Sequence, residues 1–63
     1  MQLRVNDEDR QLPEGSTVAD VVGERAGGVA VAVNQTVVPR SAWPAVTLNH
    51  GDRVEILEAH QGG

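Results

Sequence analysis

Cysteine, lysine, tyrosine and phenylalanine are all missing from this 63-residue chain. The absence of cysteine excludes disulfides, a thiolate nucleophile and thiolate metal sites, and a small domain without disulfides fits a reducing compartment. The absence of lysine means that the chain cannot accept an isopeptide bond on its own side chains. The five basic residues are all arginine, scattered at positions 4, 10, 25, 40 and 53, and the net charge is −4. Trp43 is the only aromatic residue. Nucleic-acid binding draws on clustered positive charge and stacking surfaces, and neither is present. No apolar run approaches the length of a membrane span, and the opening residues enter strand-like alternation directly instead of a signal peptide. The expected location is therefore the cytoplasm, with neither membrane nor nucleic acid as a partner.

A chain of this length makes one small domain that buries only about 60% of its unfolded surface. In QLRV, Leu3 and Val5 fall on one face and Gln2 and Arg4 on the other, the alternation of a half-buried strand. The polar stretch Asn6-Asp7-Glu8-Asp9 reads as a solvated hairpin tip, so residues 1–5 are expected to pair with 10–12. Thr17 and Asp20, three apart, make a capping box with Asp in place of the usual Glu or Gln. A helix is expected from there, with Val18, Val21, Val22 and Ala26 on its apolar face, Gly23 inside it and Gly27-Gly28 ending it. The run VAVAV, 29–33, is expected to be a central strand with its valines facing the helix and a shallow opposite face at Ala30 and Ala32. Asn34-Gln35 is a hairpin turn, although Gln35 tolerates positive φ poorly. Residues 36–38 pair back and Pro39 stops them. Residues 40–48 read as irregular, with Trp43, Val46 and Leu48 covering the open end of the core. After a turn at 49–52, RVEILEA alternates with Val54 and Ile56 inward and Arg53, Glu55 and Leu57 outward. The order β-β-α-β-β-β implies an α+β fold, a mixed sheet of about five strands with one helix on one face.

No catalytic constellation emerges. His50 reads as a solvated turn residue, and two lone histidines, His50 and His60, do not make a metal site. Ser16 serves a helix start and Ser41 a turn. Gly27-Gly28 closes a helix instead of opening one, so it does not cradle phosphate. Nothing holds a substrate between an acid and a base, and the chain reads as a non-enzyme. The remaining chemical group is the carboxylate of Gly63, preceded by Gly62. Two residues without side chains pass a narrow channel and allow close backbone approach. Residues 1–58 are expected to form the domain and 59–63 a flexible tail. Leu57, exposed just before that tail, is a candidate partner contact, with Glu55 and Glu58 complementing a basic partner surface.

Over its whole length the sequence resembles the ThiS family, the sulfur carriers of thiamin biosynthesis. The resemblance rests on the opening LRVN, the helix start STVADVV, the segment VAVAVNQTVVPRSAW, the segment GDRVEI and the terminal QGG. Two turns depart from the family pattern: Gln35 stands where an Asn-Gly turn is usual, and Asp7 where glycine is common. The resemblance implies a ubiquitin-like β-grasp fold. It implies that a ThiF-type adenylyltransferase activates Gly63 with ATP, the carrier itself holding no cofactor. It further implies a sulfur donor such as a cysteine desulfurase, and delivery from the Gly63 thiocarboxylate to a ThiG-type thiazole synthase. Three other readings share some of these features: the small subunit of molybdopterin synthase, a ubiquitin-like modifier joined to target lysines, and an interaction domain with an inert tail.

Overall fold

The computed structural model describes residues 1–23 and 28–58. Five strands form one sheet: β1 (Gln2–Val5), β2 (Glu8–Gln11), β3 (Val29–Val33), β4 (Thr36–Val38) and β5 (Arg53–Glu58), in the order β2-β1-β5-β3-β4. A short helix, α1 (Val18–Val22), and a 3₁₀ helix, Arg40–Ala45, complete it. β1 and β5 run parallel, with Arg4 opposite Arg53 and Val5 opposite Val54. All other pairings are antiparallel. The strand that leads to the tail therefore lies at the sheet centre, covered by β1 on one edge and β3 on the other.

One core holds these elements together. Leu3, Val5, Val31, Val38, Val54 and Ile56 from the sheet meet Val18 and Val22 from α1, and Trp43 and Leu48 close the end. Trp43 buries its ring because its one polar atom is satisfied: Nε1 donates to the Val38 carbonyl at 2.9 Å. Val29 and Val33 pack on the core's margin, as their place on the inward face of β3 requires.

α1 depends on its ends. Three of its five residues are valine, whose β-branching lowers helix propensity. The capping box compensates: Asp20 N–H donates to Thr17 Oγ1 at 3.3 Å, and Thr17 N–H donates to Asp20 Oδ2 at 2.9 Å. The loop leaving the 3₁₀ helix secures the same end, with Val18 N–H donating to the Val46 carbonyl at 3.0 Å and Leu48 N–H to the Ser16 carbonyl at 2.8 Å. The helix stops earlier than its sequence period implies. Gly23 is its C-cap, at φ 61°, instead of an interior residue. A chain with little intrinsic helicity ends at the first residue that takes positive φ without strain. Gly28 also has positive φ, at 74°; Ala26 and Gly27 lie outside the described residues.

Two further boundaries differ from expectation. The first hairpin turns in two residues, Asn6 and Asp7, so Glu8 and Asp9 belong to β2 instead of the tip, with Val5 opposite Glu8. All four β2 residues are exposed, so no apolar alternation marks where this edge strand starts. Residues 40–45, expected to be irregular, form the 3₁₀ helix. Asn34-Gln35 is the expected hairpin turn, and the two hairpins share a backbone. Asn6 and Asp7 have φ of 51° and 67°, and Asn34 and Gln35 have 50° and 70°, the positive pair of a type I′ turn. Where glycine is usual at the second position, this chain imposes the conformation on Asp7 and Gln35.

Candidate functional site

The face of the sheet turned away from α1 divides in two. Residues directly opposite one another share a face, so register assigns them. Ala30 lies opposite Leu57, and Ala32 lies between Glu55 on β5 and Val37 on β4. Among the described residues, Leu57 and Val37 are the large hydrophobic ones left exposed, at 66% and 72%. With the two alanines between them they make an apolar strip that crosses β5, β3 and β4. The other half of this face is polar: Arg4 lies beside Arg53, and its Nε stands 3.5 Å from Asp9 Oδ1.

The strip joins several of the residues expected to serve a partner and separates others. Leu57 is exposed as its alternation implied, and the alanine face of β3 is shallow beside it. Glu55, half-buried, borders the strip. Glu58 does not share that face: it lies opposite Val29, on the side of Val31 and Ile56. Three positions apart on a strand means opposite faces, so the two glutamates do not act as one acidic patch. Val37 was missed. Its signal was present, since Val38 just before Pro39 points inward and Val37 must then point out. Gly62, Gly63 and His60 lie outside the described residues.

The described residues hold no catalytic arrangement. His50 occupies a turn and serves structure: its Nδ1 accepts from the Gln2 N–H at 3.0 Å. Among the described residues Ser16 is the only buried polar one, and its hydroxyl donates to the Pro13 carbonyl at 2.8 Å. Among the described residues no cluster of His, Cys, Asp or Glu is placed to hold a metal, and no helix is long and apolar enough to cross a membrane.

Comparison with known proteins decides what this surface belongs to. The model of the ThiS family matches residues 2–63. The chain belongs to the ThiS family. It is 33% identical to the sulfur carrier protein ThiS of Escherichia coli (strain K12), with all of both chains covered. It superposes on the crystal structure of the thiamine biosynthesis protein ThiS from Geobacter metallireducens with a TM-score of 0.84, at 32% identity and with both chains covered in full. The solution structure of a thiamine biosynthesis protein from the same organism gives 0.78 at 32% identity, covering all of this chain and 88% of the other. A thiazole synthase from Paramagnetospirillum magneticum is 36% identical over the whole of this chain, which spans 20% of that protein. As a ThiS-family member the chain is a small sulfur carrier of thiamine biosynthesis with a β-grasp fold, and it is not an enzyme.

Proposed function

We propose that the chain carries sulfur on the carboxyl group of Gly63 and that the apolar strip docks the enzyme that loads it. A carboxylate is a poor electrophile until one oxygen becomes a leaving group. A ThiF-type adenylyltransferase supplies this by joining that oxygen to the α-phosphorus of ATP, with release of pyrophosphate. Hydrosulfide, released by a thiol reductant from the persulfide of a donor such as a cysteine desulfurase, then forms a bond to the acyl carbon as AMP leaves. The resulting thiocarboxylate passes its sulfur to a thiazole synthase. All of these steps take place in the cytoplasm, and ATP is bound by the partner and not by the carrier.

The observation that carries this reading is a family match that runs to Gly63 on a domain of matching fold. The relative from P. magneticum supports the synthase as recipient, because a stretch like this chain occurs within a protein named thiazole synthase. The apolar strip supports docking by its position: Leu57 is next to last in β5, and β5 leads directly into residues 59–63. Contact surface and terminus are thereby joined through one central strand. Docking through Leu57, Val37 and the flat alanine rows would leave the tail free to enter a narrow active site.

Intact-mass spectrometry tests the proposal. After incubation with the adenylyltransferase, ATP and a sulfur source, the chain should gain the mass difference of one oxygen replaced by one sulfur, located at Gly63 by fragmentation. A terminus found instead in amide linkage to a protein lysine would identify a modifier and overturn the carrier chemistry.

A further inference from the structure

The two edges of β5 are not supported alike. β3 accompanies it to its last residue, with Val29 opposite Glu58. β1 accompanies it only to the Val5–Val54 pair, after which the chain turns away through Asn6 and Asp7. The last backbone contact on this edge is the Asn6 N–H, which donates to the Val54 carbonyl at 2.9 Å. A side chain then supplies the next rung. Ile56 N–H donates to Asn6 Oδ1 at 2.8 Å, and Asn6 Nδ2 donates to the Ile56 carbonyl at 3.2 Å. A primary amide offers the same donor and acceptor as a peptide group. Asn6 therefore extends the β1 ladder by one rung, where the backbone has already left.

We infer that Asn6 is a positioning residue for sulfur loading: its amide holds β5 at Ile56 and so sets the direction in which the chain leaves the sheet toward Gly63. The inference rests on the carrier reading above. Beyond Glu58 lie five residues, 59–63. A chain of that length spans at most about 17 Å, so the point and direction of exit from β5 bound where its end can reach. Acyl activation is sensitive to such placement, since a misplacement of about 1 Å can cost on the order of a hundredfold in rate. Docking through the strip and aiming of the terminus are then separate tasks. Loss of the first weakens binding, and loss of the second slows the step after binding.

The second hairpin provides a matched control. Asn34 holds the same position in the same kind of turn but meets the opposite end of the strand. Arg53 N–H donates to its Oδ1 at 3.0 Å, and its Nδ2 donates to Asp52 Oδ1 at 3.1 Å. Asn6→Gly and Asn34→Gly each remove two side-chain hydrogen bonds, and glycine keeps the positive φ of both turns. Two readouts separate them. By amide hydrogen exchange, Asn6→Gly should lower protection at Ile56 and Asn34→Gly should not. By pyrophosphate exchange with the adenylyltransferase, below the melting range of both variants, Asn6→Gly should lower kcat about tenfold with little change in KM. Asn34→Gly should leave kcat and KM near those of the native chain. Equal losses in the two variants, a loss confined to KM, or unchanged protection at Ile56 would overturn the inference. The native chain is measured first: failure to support any pyrophosphate exchange would refute the carrier reading, while exchange at Ile56 would still decide whether Asn6 holds the strand.

Discussion

Alternate residues of β5 face two opposite environments. Val54 and Ile56 are 0% and 5% exposed and touch the centre of the core, whereas Leu57 is 66% exposed on the opposite face. The inner face of β5 joins a core with residues from β1, β3, β4, α1 and the 3₁₀ helix, so the fold depends on it. The outer face is flat and sparsely covered, with alanines where larger side chains would make a stable sheet packable on both sides. A carrier of this size has little stability to spare. The comparison teaches that one strand separates two demands by alternation: cohesion on one side and, in the function proposed above, contact on the other.

The largest effect expected from breaking this division lies on the inner face. Ile56→Ala should destabilise the domain by about 2–4 kcal/mol, through lost apolar burial and a residual cavity. Chemical denaturation would read this as a lower midpoint with an unchanged slope. A loss below about 1 kcal/mol would mean that the core does not depend on β5. The outer face should respond in the opposite way. Leu57→Asp should change stability by less than about 1 kcal/mol. Its effect should appear in binding, as an affinity for the adenylyltransferase lowered about tenfold or more, measured by calorimetry. Unchanged affinity would remove Leu57 from the interface, and a large loss of stability would show that the faces are not separable.

A smaller change sharpens the comparison by altering the backbone without touching either face. Gln35 sits at φ 70°, a conformation that costs a side-chain-bearing residue about 1–2 kcal/mol. Gln35→Gly relieves this while adding chain entropy to the unfolded state, and should stabilise the domain by about 0.5–1 kcal/mol. Partner affinity should not change. Destabilisation would show that the Gln35 side chain contributes contacts that outweigh the backbone strain.

How much of this was readable in advance followed from burial. β1, β3 and β5 as far as Leu57 alternate because one face is covered, and their inward residues were identifiable one by one. The capping box at Thr17 and Asp20 was readable because it is local. β2 gave no sign of its start, since an exposed edge strand has no apolar face to reveal. The end of α1 at Gly23 was hidden because a period of apolar residues says nothing about how little helicity three valines supply. The parallel pairing of β1 with β5 joins opposite ends of the chain and leaves no trace in either segment alone. On the outer face, the exposure of Leu57 was identifiable from alternation. The grouping of Leu57 with Val37 required the register of three strands. The hold of Asn6 on Ile56 was hidden behind its turn propensity, which by itself accounts for an asparagine at that position.

The central claim is that the domain is built without the terminus and that the terminus alone carries sulfur. Deleting Gly63 tests both halves at once, by intact mass after incubation with the adenylyltransferase, ATP and a sulfur source, alongside a thermal melt. The core cluster is drawn from residues 3–56. The shortened chain should therefore melt within about 1 °C of the native one, since no core contact is lost, and should acquire no sulfur. A shortened chain that still gains sulfur at its new end with full efficiency, or one that no longer folds, would contradict the account.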